Sequence, residues 1–176
     1  AIDVLKLSSL DKMLNKKNFN IRKLIFSILL FIFLISIDQT IKIFISKMMI
    51  EQNFIEKKVF SFLNIVFVRN TGISFGLFSE GGMFNRYFFC IFSILVGSGL
   101  FMISFLSEKK LIFYALTLIA SGAFGNAIDR IYFGGVIDFI DIFVYNYHWP
   151  AFNFADIFIT VGVLILLLDN LLSNEK

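Results

Sequence analysis

The sequence predicts an α-helical membrane protein, with four transmembrane helices and a small β-sheet on one side of the bilayer. Three observations predict it. Of 176 residues, 58% are hydrophobic and 25 are Phe, more apolar surface than a soluble domain of this size can hide. Four runs, 24–45, 87–106, 111–128 and 151–169, are apolar over the roughly 20 residues with which a helix crosses about 30 Å of hydrocarbon. Between the first two runs, segment 46–86 is too long for a bare turn and carries Phe, Val and Ile in partial alternation.

The first run comes after Lys16, Lys17, Arg22 and Lys23, like the start of a secretory signal. It is too long for one, no A-x-A-like site succeeds it, and three more runs come after, so it reads as a retained helix. Residues 1–12 differ in character from the rest of the chain, and Met13 reads as a natural start with a remnant before it. Within 46–86, "KVFSFLNIVFVRN" (58–70) predicts short strands, while "NTGISFG" (70–76) and "EGGMFN" (80–85) predict turns. The second and third helices join through "SEKK" (107–110), and the third and fourth through a link over 129–150. One proline and no low-complexity linker argue for a single integral membrane domain over residues 1–176.

Basic residues orient the helices. Six Lys or Arg precede residue 24 and two lie in 107–110, whereas 129–150 has only Arg130. The N-terminus, the 107–110 turn and the C-terminus are therefore expected in the cytoplasm. Segment 46–86 weakens the contrast, with five basic residues among three glutamates. A net charge of +3 without a basic, aromatic-studded patch sets nucleic acid aside. One cysteine, Cys90, and one histidine, His148, are too few for a Cys/His zinc site; a purely carboxylate metal site stays open, although no metal or cofactor is expected.

The polar residues gather at one interface. Asp38 and Lys42 lie four apart near the outer end of the first run, spaced for an ion pair. Gly122, Asn126, Asp129 and Arg130 share the outer end of the third, and Asn153, Asp156 and Thr160 the outer start of the fourth. Asp138 and Asp141 fall in the link between them. Polar groups in hydrocarbon must be paired or face a wet cavity, which makes the cluster a candidate site. Its abundant reactive group is carboxylate. Two carboxylates held close share a proton, so one can take a proton from water while the other protonates a carbonyl oxygen.

"DQTIK" (38–42), "NTGISFG" (70–76), "SGAFGNAIDR" (121–130), "GGVIDFID" (134–141) and "FNFAD" (152–156), in this order, resemble the lipoprotein signal peptidase (signal peptidase II) family over about residues 24–170. The resemblance implies an intramembrane aspartic endopeptidase of the bacterial inner membrane, with its sheet and active site near the periplasmic face. The implied substrate is a diacylglyceryl-modified prolipoprotein, cut just before the lipidated cysteine. The implied partners are that substrate and membrane lipid, with the chain as a monomer. Carried over, the catalytic pair is Asp138 and Asp156. Asn126, Asp129, Arg130 and Asn153 form a polar shell around it, and Asp38, Lys42, Asn70 and Gly72 match further motif positions. The sheet, near 58–78, would clamp the substrate. Ile73 and Ser74 stand where the family usually has alanines, and Ser121 where glycine is usual.

The alternatives are a small membrane transporter and an inactive lipid-binding homologue. The inner halves of the helices carry almost no polar groups and there is no internal repeat, which argues against a transporter. The remaining residues have plainer expected roles: Asp141 as a loop acid, His148 and Trp149 as interfacial anchors, Cys90 as an apolar filler.

Overall fold

The structure, a computed structural model, describes residues 21–52, 56–72 and 82–174. Four helices, α1 (Ile21–Glu51), α2 (Gly82–Leu106), α3 (Lys110–Phe133) and α4 (Phe154–Asn174), are each long and apolar enough to cross a membrane. Strands β1 (Glu56–Phe60), β2 (Leu63–Asn70), β3 (Val136–Val144) and β4 (Tyr147–His148) form an antiparallel sheet in that order. Residues 1–12, Met13, Lys16, Lys17, Ile73 and Ser74 lie outside the described residues.

The helices outrun their apolar windows because backbone hydrogen bonding does not stop where hydropathy does. At 31 residues α1 is about 46 Å long, well beyond the roughly 30 Å hydrocarbon core. Its last turns leave the bilayer zone and pack on the sheet, where Ile45 and Met49 bury against Phe139. The turn expected over 80–85 is likewise corrected at 82–85, which are helical and open α2. The third helix continues past 128 to Phe133 and ends on Gly134, whose φ of 75° suits a left-handed cap. Arg86 reaches over from α2 to cap the same end, donating to the carbonyls of Arg130 at 2.6 Å and Ile131 at 2.5 Å.

The centre of the bundle is α3. Some 61% of its apolar window is buried, against 17, 17 and 11% in α1, α2 and α4. That is why its sequence is less uniformly apolar: it faces protein, where small residues and paired polar groups serve better than leucine. Gly122 shows the fit, since a Cβ there would lie 2.3 Å from the carbonyl oxygen of Ala155. The other three helices turn large residues outward, among them Phe33, Leu95 and Leu168, as lipid-facing helices do.

The link expected over 129–150 is instead largely β-structure. β3 pairs with β2 along one edge, and along the other with β4 and with Phe152, which exchanges hydrogen bonds of about 3.0 Å with Ile140. Periodicity concealed this strand. Val136, Ile137, Asp138 and Phe139 are all buried, so the polar–apolar alternation of a surface strand is missing. Asp141 is accordingly no loop acid. It lies on β3, 6% exposed, and accepts from Asn64 Nδ2 at 2.9 Å. His148 is its partner: Nδ1 lies 2.9 Å from Asp141, and the ring stacks on Phe143.

Candidate active site

Asp138 and Asp156 line one cavity of about 680 Å³ together with Asn70, Asn126 and Arg130. Apolar side chains of α2, α3 and α4, such as Val96, Ile119 and Ile157, also line it.

Each carboxylate is placed by the backbone around it. Asp138 sits mid-strand between two asparagines on neighbouring segments. Asn70 Nδ2 donates to Oδ2 at 3.2 Å and Asn153 Nδ2 to Oδ1 at 2.7 Å. The first contact depends on a β-bulge. Ile65 pairs with Ile140 but Val68 with Asp138, so Val66 and Phe67 oppose Phe139 alone. The extra residue shifts the phase of β2. Paired without a break from Ile65 and Ile140, Asn70 would oppose Gly135 and share the other face of the sheet; with the bulge it opposes Val136, on the face of Asp138.

Asp156 is held by a reciprocal cap at the start of α4. Its backbone N–H donates to Asn153 Oδ1 at 3.0 Å, while its Oδ2 accepts from the Asn153 N–H at 3.3 Å. Asn126 Nδ2 donates to its Oδ1 at 2.8 Å. The acid therefore caps its own helix and still faces the cavity.

Beneath the pair lies a buried ion cluster. Lys42 Nζ bridges Asp38 at 2.8 Å and Asp129 at 2.7 Å, all three at most 1% exposed. Asp38 Oδ1 accepts from the N–H of Ala155 at 2.9 Å, and Asp129 Oδ2 from the N–H of Ile137 at 3.1 Å. These are the residues immediately before Asp156 and Asp138, so the cluster anchors both approaches to the pair. Gln39, which sequence reasoning did not single out, completes it by donating to Asp129 Oδ1 at 2.9 Å. The signal was its place inside "DQTIK". Arg130 donates to the carbonyls of Asn126 at 3.2 Å and Gly72 at 3.0 Å, tying the chain after β2 to α3.

Burial, and next the neighbouring Asp156 carboxylate, push the Asp138 carboxyl up to about 7; donors from Asn153 and Asn70 oppose the shift. Among the described residues no group of three or more His, Cys, Asp or Glu side chains is arranged to hold a metal ion. A buried and a half-buried carboxylate on one cavity, the buried one titrating near neutrality, can activate water and protonate a carbonyl.

The sequence model of the family described as Signal peptidase (SPase) II matches residues 30–172. The chain belongs to the signal peptidase II family. A lipoprotein signal peptidase of Pelagibacter ubique is 38% identical over 164 residues, which is 93% of this chain and 95% of that protein. One from Cupriavidus pinatubonensis is 41% identical over 121 residues, 68% of this chain and 69% of that protein. A solved bacterial membrane enzyme superposes with a TM-score of 0.69 at 33% identity, over 85% of this chain and 91% of that one. The protein is thus a multi-pass membrane aspartic protease that removes signal peptides from prolipoproteins. The comparisons offer no support for a transporter or an inactive lipid-binding protein.

Proposed function

We propose that Asp138 and Asp156 are the catalytic pair of this signal peptidase. The observation that carries the reading is that both acids line one cavity, each with an asparagine amide donor, and that Asp138 is pushed up to about 7 by burial and by Asp156. The pair shares one proton and titrates as a unit. The ionised member takes a proton from a water held between them. The hydroxide formed attacks the scissile carbonyl carbon as the protonated member gives its proton to the carbonyl oxygen. On collapse, the proton taken from water passes to the leaving nitrogen, and the gem-diol hydroxyl returns a proton to the other aspartate. The C–N bond breaks without a covalent enzyme intermediate.

The substrate is a diacylglyceryl-modified prolipoprotein, cut just before the lipidated cysteine. The apolar wall of the cavity suits its acyl chains, and Asn70 and Arg130, both bonded to Gly72, stand where they can hold its backbone. Nε of Arg130, buried and without an acceptor among the described residues, supports a donor reserved for substrate. The orientation that fits the basic residues has both termini in the cytoplasm and the acids near the periplasmic face of the inner membrane. Lys23, which donates to the carbonyl of Ser107, and Lys109, paired with Asp169 at 3.1 Å, lie at the end that this orientation puts in the cytoplasm. The chain acts as a monomer in contact with membrane lipid, as one domain over 1–176. The test is cleavage of a diacylglyceryl-modified prolipoprotein peptide in detergent by the parent chain and by Asp138→Asn. Cleavage before the modified cysteine, lost in the variant, is expected; cleavage retained by the variant removes the pair.

A further inference from the structure

Lys42 is fully buried on α1 and forms no part of the cavity wall. Its ammonium has three N–H donors and meets three acceptors: Asp38 Oδ2 at 2.8 Å, Asp129 Oδ2 at 2.7 Å and Asn126 Oδ1 at 3.2 Å. An ammonium has no lone pair, so the atom of Asn126 that faces it has to be oxygen. The amide nitrogen then faces the opposite way, 2.8 Å from Asp156 Oδ1. Asn153 is oriented separately, by a donor that is equally fixed: the backbone N–H of Asp156 holds its Oδ1, leaving Nδ2 for Asp138 at 2.7 Å and Asn126 Oδ1 at 3.3 Å.

The two asparagines thus have different masters. One is set by a helix cap, the other by a buried charge at 3.2 Å with the Asn153 amide as a second, longer donor at 3.3 Å. A primary amide has nearly the same shape when reversed, so packing alone does not choose its orientation. Reversed, Asn126 would turn oxygen toward a carboxylate oxygen, and no hydrogen bond would form unless a proton lay between them.

We infer that Lys42 is a positioning residue of the peptidase reaction, holding the oxygen of Asn126 so that its amide presents N–H, and never oxygen, to Asp156. The inference rests on the catalytic-pair reading above. The charged groups around Lys42 and this relay are Asp38 from α1, Asp129 and Arg130 from α3, Asp138 from β3 and Asp156 from α4. The Lys42 charge also favours the ionised form of Asp138.

The test compares Lys42→Met and the pair Asp38→Asn/Lys42→Met with the parent, on the lipidated peptide in detergent. The double variant keeps the formal charge of the Asp38, Lys42 and Asp129 cluster at the parent value, so Asp129 is left with its Gln39 and Ile137 donors and without a second unpaired carboxylate beside it. Per folded molecule, kcat should fall on the order of 10- to 100-fold, the scale for losing a group that orients a reactive one, with KM nearly unchanged. In Lys42→Met the low-pH limb of the activity profile should move to higher pH, since ionised Asp138 loses a favourable charge. In an Asn126→Ala background, Lys42→Met should cost no further kcat, because the relay is already gone.

Parent kcat and parent pH profile in folded Lys42→Met, with only thermal stability reduced, would overturn the inference. So would additive losses with Asn126→Ala. Failure of both variants to fold assigns Lys42 to the fold alone and overturns it as well. Activity retained by Asp138→Asn is a separate outcome, since it sinks the catalytic-pair reading whatever Lys42 does.

Discussion

Asp138 and Asp141 sit on the same strand at nearly equal burial, 3% and 6% exposed, yet the structure uses them in opposite ways. They point to opposite faces of β3, as an odd spacing dictates. Asp141 is closed off: Asn64 and His148 occupy its oxygens, and it lines no part of the cavity. Asp138 receives only amide donors, opens on the cavity and has a second carboxylate as its neighbour. Burial alone does not prepare an acid for chemistry; what matters is whether a second carboxylate lies beside it and whether a substrate can reach it.

The widest separation between the two acids should appear on neutralising each. Asp138→Asn is expected to lower turnover by about 10⁴-fold or more, at or beyond the upper end for loss of one acid–base group. Its stability should show the reverse sign. Because the folded Asp138 carboxyl lies up to about 7 against 3.8 for the free group, its favourable contribution is complete below about pH 4 and lost as pH rises through about 7. Above neutrality Asp138→Asn should therefore melt at or above the parent temperature, and the gap should close on acidification. A melting temperature well below the parent's at pH 8 would contradict the assigned shift.

Removing the donors of Asp138 should come next. Asn153→Ala is expected to cost about 1 kcal/mol of stability through the lost cap of α4, and roughly 10- to 100-fold in kcat through Asp138. Asn70→Ala should cost about tenfold in kcat with little change in stability, since only the longer 3.2 Å contact is lost. Deleting one of Val66 and Phe67 should straighten β2 and leave Asn70 opposite Val136, so turnover should fall less than in Asn70→Ala. A loss as large as that of Asn70→Ala would show that the deletion shifts the register of β2 instead of removing the bulge.

The smallest effect is expected on the other face. Asp141→Asn should lower the unfolding free energy by about 1 kcal/mol, through a weaker contact with His148, and leave kcat within about threefold. A catalytic loss comparable to that of Asp138→Asn would abolish the contrast between the two faces.

The four helices were legible because the bilayer imposes a length and a composition that only a long apolar run satisfies, and β1 and β2 because β-branched and aromatic residues cluster there. The polar end of the bundle could also be located, since Asp38, Asn126, Asp129 and Asp156 stand out in apolar runs that leave few reasons to keep them. Local pattern failed at 129–150, where β3 is buried along its first half and shows no alternation, so Asp138 and Asp141 looked like neighbours in one loop. What tertiary structure decided was partnership. The bulge in β2, the pairing of Phe152 with β3 and the charge of Lys42 beneath Asn126 each join segments distant in the chain. Hydropathy and spacing describe a residue's near neighbours along the chain, whereas the reactivity of a buried carboxylate depends on which groups the fold brings to its oxygens from elsewhere.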